Sequence, residues 1–111
     1  MKDRKLDFGD LAYPEVIDAT EDIDKPEEPK MWKVILHNDD YTPMNFVVMI
    51  IMKVFHKLHM EAERMMMQIH KSNKAIIGIF TKEIAESKVT RITEIAELNE
   101  FPLKITMEID E

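Results

Sequence analysis

From Met31 onward, apolar and polar residues alternate with two different periods, and the switches between them divide the chain into segments. Residues 32–37, WKVILH, set Trp32, Val34 and Leu36 against Lys33, Ile35 and His37, which predicts a strand with one face largely buried. Thr42 and Pro43 then read as a helix start, because the hydroxyl can cap free N–H groups and proline is tolerated at the first helical position. The spacing predicts a helix over 43–58. Its apolar positions, Phe46 or Val47, Ile50 or Ile51, and Val54 or Phe55, cover a wide arc and call for burial on more than one side. A second helix is expected over 60–72, with Ala62, Met66, Ile69 and His70 on adjoining turns. Residues 75–80, AIIGIF, are apolar on both faces and predict a central strand in which Gly78 leaves room for a close neighbour. A third helix begins at Thr81, with Ile84, Ala85, Val89, Ile92 and Ala96 as its apolar stripe and Glu83, Glu86, Lys88, Arg91 and Glu97 left to solvent. Beyond Pro102, Leu103, Ile105, Met107 and Ile109 alternate with Lys104, Thr106 and Glu108 in a strand buried on one face. The order predicts an α+β domain of two layers, β-α-α-β-α-β, with three helices packed on a small three-stranded antiparallel sheet.

Residues 1–30 differ in kind. They hold ten acidic and five basic residues and three of the five prolines, and TEDIDKPEEPK has too little apolar surface to offset its ordering entropy. They are expected to form a flexible acidic extension preceding a core of residues 31–111. The whole chain of 111 residues carries a net charge of −7, which argues against nucleic acid or anionic membrane as partners and favours cationic ones. There is no cysteine, no apolar run long enough to span a bilayer, and no signal-peptide core in MKDRKLDFGDLA, so a cytoplasmic protein is expected.

Most catalytic patterns have no footing here. With only Gly9 and Gly78 the chain has no glycine-rich phosphate loop, and it has no cysteine nucleophile. His56 and His59 stand three apart, but no carboxylate completes a metal pattern, and neither a metal nor a cofactor is expected. The polar stretch HNDDYTPM, residues 37–44, interrupts this apolar pattern with an amide and two carboxylates. Adjacent residues on extended chain point apart, so Asp39 and Asp40 make a poor acid and base pair, while aspartates before a helix commonly cap it or complement its dipole.

WKVILHNDDYTPMNFVVMII, MMMQIHKSNKAIIGIFTKEIAESKV and FPLKITMEI together resemble the ClpS family of adaptors for ClpA-type unfoldases. The resemblance covers about residues 31–111, and LDFGDLA is weakly similar to the leader of some members. It implies a non-enzymatic adaptor that binds proteins beginning with Phe, Tyr, Trp or Leu. These would be delivered to a ClpA-type or ClpC-type unfoldase for degradation by ClpP. Carried over by position, Asn38, Asp39, Asp40 and His70 would meet the substrate α-amine. Leu36, Thr42, Met44, Val47, Met66, Ile69 and Leu103 would line the pocket for the first side chain, and Met44 would crowd a β-branched one. Glu83 and Lys88 would touch the unfoldase.

Elementary chemistry agrees with that assignment. An α-amine with a pKa of about 8 is mostly ammonium at neutral pH and offers three donors. Asn38, Asp40 and a neutral His70 imidazole supply acceptors, and Met66 and His70, four apart on one helix, can present an apolar wall and an acceptor together. Two other classes fit the same residues: a ribosomal-stalk-like interaction module without terminus recognition, and a small enzyme using Asp39, Asp40 and His70. Affinity for a free-amine Phe peptide separates the first from an adaptor, and turnover would mark the second.

Overall fold

The structure, a computed structural model, describes residues 28–111. The expectation of a flexible extension therefore falls almost wholly outside the described residues; residues 28–30 are exposed and outside regular structure. The elements follow the anticipated order: β1 (Met31–His37), α1 (Met44–Phe55), α2 (His59–Ser72), β2 (Lys74–Thr81), α3 (Lys82–Leu98) and β3 (Lys104–Asp110). The three strands form one antiparallel sheet in the order β2-β1-β3, covered by the helices.

Two strand assignments change. The central strand is β1, not β2, and β1 accordingly buries Val34, Ile35 and Leu36 in succession. Ile35 faces away from the helices and is covered by its place between neighbours, opposite Ile76 on one side and Thr106 on the other. β2 is an edge strand. Its both-sided apolar pattern misleads because Ile76 and Ile79, opposite Ile35 and Lys33, remain about half exposed on that uncovered face. A register shift at Val34/Ile35 leaves Ile77 unopposed, a β-bulge that turns it into the core. Gly78 does leave room for a neighbour: a Cβ there would stand 2.5 Å from the Phe80 ring.

The first helix is shorter than its pattern suggests and stops at Phe55. His56 takes a left-handed conformation (φ 58°), which ends the helical hydrogen-bond ladder and lets the chain reverse into α2 within three residues. At its start the boundary residue is Pro43, and Thr42 makes no capping bond. As its wide apolar arc requires, α1 buries Phe46, Val47, Val48, Ile50, Ile51, Val54 and Phe55 and packs on α2, α3 and β2. The α3 stripe narrows to Ala85, Ile92 and Ala96, with Val89 half-buried. Ile84, expected in it, is 48% exposed and borders a surface depression with Val54, His56 and Lys88.

Candidate functional site

The polar stretch becomes a turn whose shape is set by one carboxylate. Asp39 Oδ1 accepts from the backbone N–H groups of Tyr41 (2.8 Å) and Thr42 (2.7 Å), and Oδ2 accepts from the Thr42 hydroxyl at 2.7 Å. This is why the Thr42 hydroxyl does not cap α1: it is turned back onto Asp39. Burial alone would raise the Asp39 pKa, but the three hydrogen bonds outweigh it and hold the carboxyl below its ordinary value. The Asn38 N–H donates to the Asn73 carbonyl at 2.7 Å, which ties the end of β1 to the left-handed residue (φ 73°) that terminates α2. The last turn of α2, carrying His70, is thereby held beside the turn after β1.

Between these segments lies a cavity of about 210 Å³. Asn38, Asp39, Asp40 and His70 give it a polar end, and Thr42, Met44, Val47, Met66 and Ile69 line the rest. The expected amine-binding residues and five of the seven expected pocket residues thus come together from three separate segments. Leu36 and Leu103 do not line it; they are buried in the core cluster that also holds Val47 and Ile69. Met65 and Met66 both pack against the core, but of the three methionines only Met66 also lines the cavity, as expected, and Met67 is exposed.

The α3 residues are divided by the helix. Glu83 is exposed and borders a shallow depression with Glu86, Thr90 and Arg91. Lys88, expected in solvent, is half-buried. Its Nζ donates to the Val54 carbonyl at 2.8 Å and lies 5.5 Å and 5.2 Å from the Phe55 and Phe80 ring centres. The reason is reach: α1 ends with an unpaired carbonyl near α3, and a long cationic side chain satisfies it.

His37, which the sequence marks only as a strand-end residue, bonds through Nε2 to the Thr106 hydroxyl at 2.8 Å. Burial, then the Lys104 and Lys74 charges, push its pKa down, against a smaller upward pull from Glu108. Those neighbours come from both flanking strands, so only the sheet register could have revealed them. Among the described residues no cluster of His and acidic side chains is arranged to hold a metal ion, and no helix is long and apolar enough to cross a membrane.

An α+β domain with a cavity polar at one end and apolar at the other has the form of a small binding protein for an amphipathic ligand. The family model described as "ATP-dependent Clp protease adaptor protein ClpS" matches residues 27–106. Curated relatives named "ATP-dependent Clp protease adapter protein ClpS" include one from Bdellovibrio bacteriovorus. It is 44% identical over 98 residues, covering 88% of this chain and 86% of that protein. Another, from Roseobacter denitrificans, is 40% identical over 111 residues, 100% of this chain and 94% of that protein. Among solved structures, Agrobacterium tumefaciens ClpS2 bound to L-phenylalaninamide superposes with a TM-score of 0.73 at 36% identity, covering 75% of this chain and 100% of that one. The chain belongs to the ClpS family of Clp protease adaptors.

Proposed function

We propose that the cavity receives the first residue of a substrate protein, binding its free α-amine at the polar end and a Phe, Tyr, Trp or Leu side chain at the other. The protein would then hand that substrate to a ClpA-type or ClpC-type unfoldase for degradation by ClpP. The single observation that carries this reading is the convergence of Asn38, Asp40 and His70 on one cavity with Met44, Val47, Met66 and Ile69. L-Phenylalaninamide, the ligand of the Agrobacterium relative, has a free amine beside a benzyl group and so presents both features at once. An apolar cavity of about 150 Å³ suffices for benzene. The 210 Å³ here is therefore room for one large side chain and little more.

Within the polar end the two aspartates divide the work. Asp39 already accepts three hydrogen bonds from its own turn, whereas among the described residues the exposed Asp40 carboxylate has no such partner. Asp40 is therefore the charge for the ammonium, with the Asn38 amide oxygen and an unprotonated His70 nitrogen as further acceptors. Each such charge-assisted bond contributes roughly 1.5–3 kcal/mol, comparable to burying the side chain, so both anchors are needed for useful affinity. No bond is made or broken in this role.

The test is a fluorescence anisotropy titration of a free-amine Phe-start peptide against its N-acetylated twin. Acetylation removes the charge and leaves a single N–H donor, so affinity should fall at least about tenfold, the equivalent of one such bond. Equal affinity for the two peptides would reject the amine-binding role.

A further inference from the structure

Met44 and Met66, which wall the first-residue cavity, also form one end of a second, larger depression. This groove of about 440 Å³ runs between α1 and α2, and its floor is Val48, Met49 and Met52. Lys53, His59 and Glu63 stand at its far end, with His59 Nε2 3.6 Å from the Glu63 carboxylate. Four of its lining side chains are methionines, and all four are at least partly exposed. Met49, Met52 and Met66 pack one side against the core and leave the other open along the groove, so together they offer a continuous apolar surface to a ligand.

We propose that this groove binds the second to fourth residues of the same captured chain and favours a large apolar side chain among them. The proposal rests on the first-residue reading above and extends it along the substrate. A chain anchored by its amine at Asn38 and Asp40, and by its first side chain between Met44 and Met66, leaves the cavity past those two methionines. The groove opens there. Met44 to Met52 is eight residues of α1, about 12 Å at 1.5 Å per residue, which an extended segment spans in about three to four residues. Methionine is flexible and polarisable and serves surfaces that accept many shapes, so the groove selects for apolar character and not for one side chain. That suits a receptor whose ligands share a first residue but differ afterwards. It also separates two tasks: the cavity decides which terminus is bound, and the groove decides how long that terminus stays.

The experiment compares three ligands, phenylalaninamide, Phe-Leu-Leu-Ser and Phe-Ser-Ser-Ser, each with a free amine, on the wild-type protein and on Met49→Gln/Met52→Gln. Covering about half of a leucine side chain corresponds to roughly fivefold to tenfold in affinity. On the wild type the leucine peptide should bind tighter than the serine peptide by that factor. On the double variant the gain should vanish while phenylalaninamide binds as before, and Met49→Leu/Met52→Leu should restore the gain and exclude a folding artefact. Equal affinity for the two peptides on the wild type, or a gain that survives in the glutamine variant, overturns the groove assignment alone. Failure of phenylalaninamide to bind the wild type overturns the first-residue reading instead. A leucine gain that appears only when residues 1–27 are deleted, or self-association that the glutamine variant abolishes, would give the groove to this chain's own leader or to a second copy, and would likewise overturn the assignment.

Discussion

Asp39 commits both carboxylate oxygens to Tyr41 and Thr42, which makes it the residue that shapes the turn, while the neighbouring Asp40 is exposed. Asp39→Ala would strand the Tyr41 and Thr42 N–H groups and free the Thr42 hydroxyl, so it should cost about 1–3 kcal/mol of stability at pH 7. Burial pushes the Asp39 pKa up, but the hydrogen bonds favour the ionised form and hold it below the ordinary aspartate value of 3.8. Stability linked to Asp39 is therefore fully present above pH 3.8 and disappears as pH falls through the folded pKa. Urea denaturation of both proteins at pH 7 and in acid should show the gap closing on the acid side; a gap that widens there, or none at pH 7, contradicts this role. The turn was partly legible, since aspartates before a helix are expected to cap it or complement its dipole, but the Asp39 carboxylate serves the turn ahead of the helix and not the helix itself. What the sequence could not assign was which aspartate turns inward, because both precede the same helix.

At the scale of elements, patterning located every helix and strand within a few residues but misjudged which strand is central. Periodicity reports how many faces of a segment are apolar, whereas strand order depends on pairing between β1 and β3, which begin more than seventy residues apart. Ile76 and Ile79 made an edge strand look interior simply because two isoleucines sit on the uncovered face. The same blindness to distant partners hid Lys88, whose acceptor is the Val54 carbonyl 34 residues earlier. Lys88 closes the last turn of α1, satisfies a carbonyl that the helix cannot pair, and sets a positive charge at the negative end of the helix dipole. Lys88→Met keeps the stem and removes the charge and the donors, so the expected loss is about 1–2 kcal/mol, read from the urea midpoint. An unchanged midpoint would mean that water replaces the ammonium without cost.

At the scale of the whole molecule, the cavity proposed for the first residue and the depression beside the proposed unfoldase contact lie on different elements. The first-residue cavity is built from the β1–α1 turn, α1 and α2, while the acidic depression carrying Glu83 is built from α3 alone. An adaptor that held a substrate while contacting the protease machinery would need this separation. The resemblance marks both Glu83 and Lys88 as unfoldase contacts, but Lys88 also supports α1, so its substitution mixes folding with association. Glu83 is the cleaner probe because it is exposed and stands in the first turn of α3, away from the core cluster. Charge reversal, Glu83→Lys, should weaken association with the N-terminal domain of a Clp unfoldase about fivefold to tenfold, a moderate effect suited to an exposed interfacial charge. The affinity for a Phe-start peptide should stay within about twofold, because a Debye length of roughly 8 Å at physiological salt screens exposed charges on separate surfaces. Calorimetric titration against the unfoldase domain and anisotropy with the peptide, on the same preparation, read the two effects independently. Loss of both would show that the surfaces are coupled through α3, and loss of neither would move the unfoldase contact elsewhere on the fold.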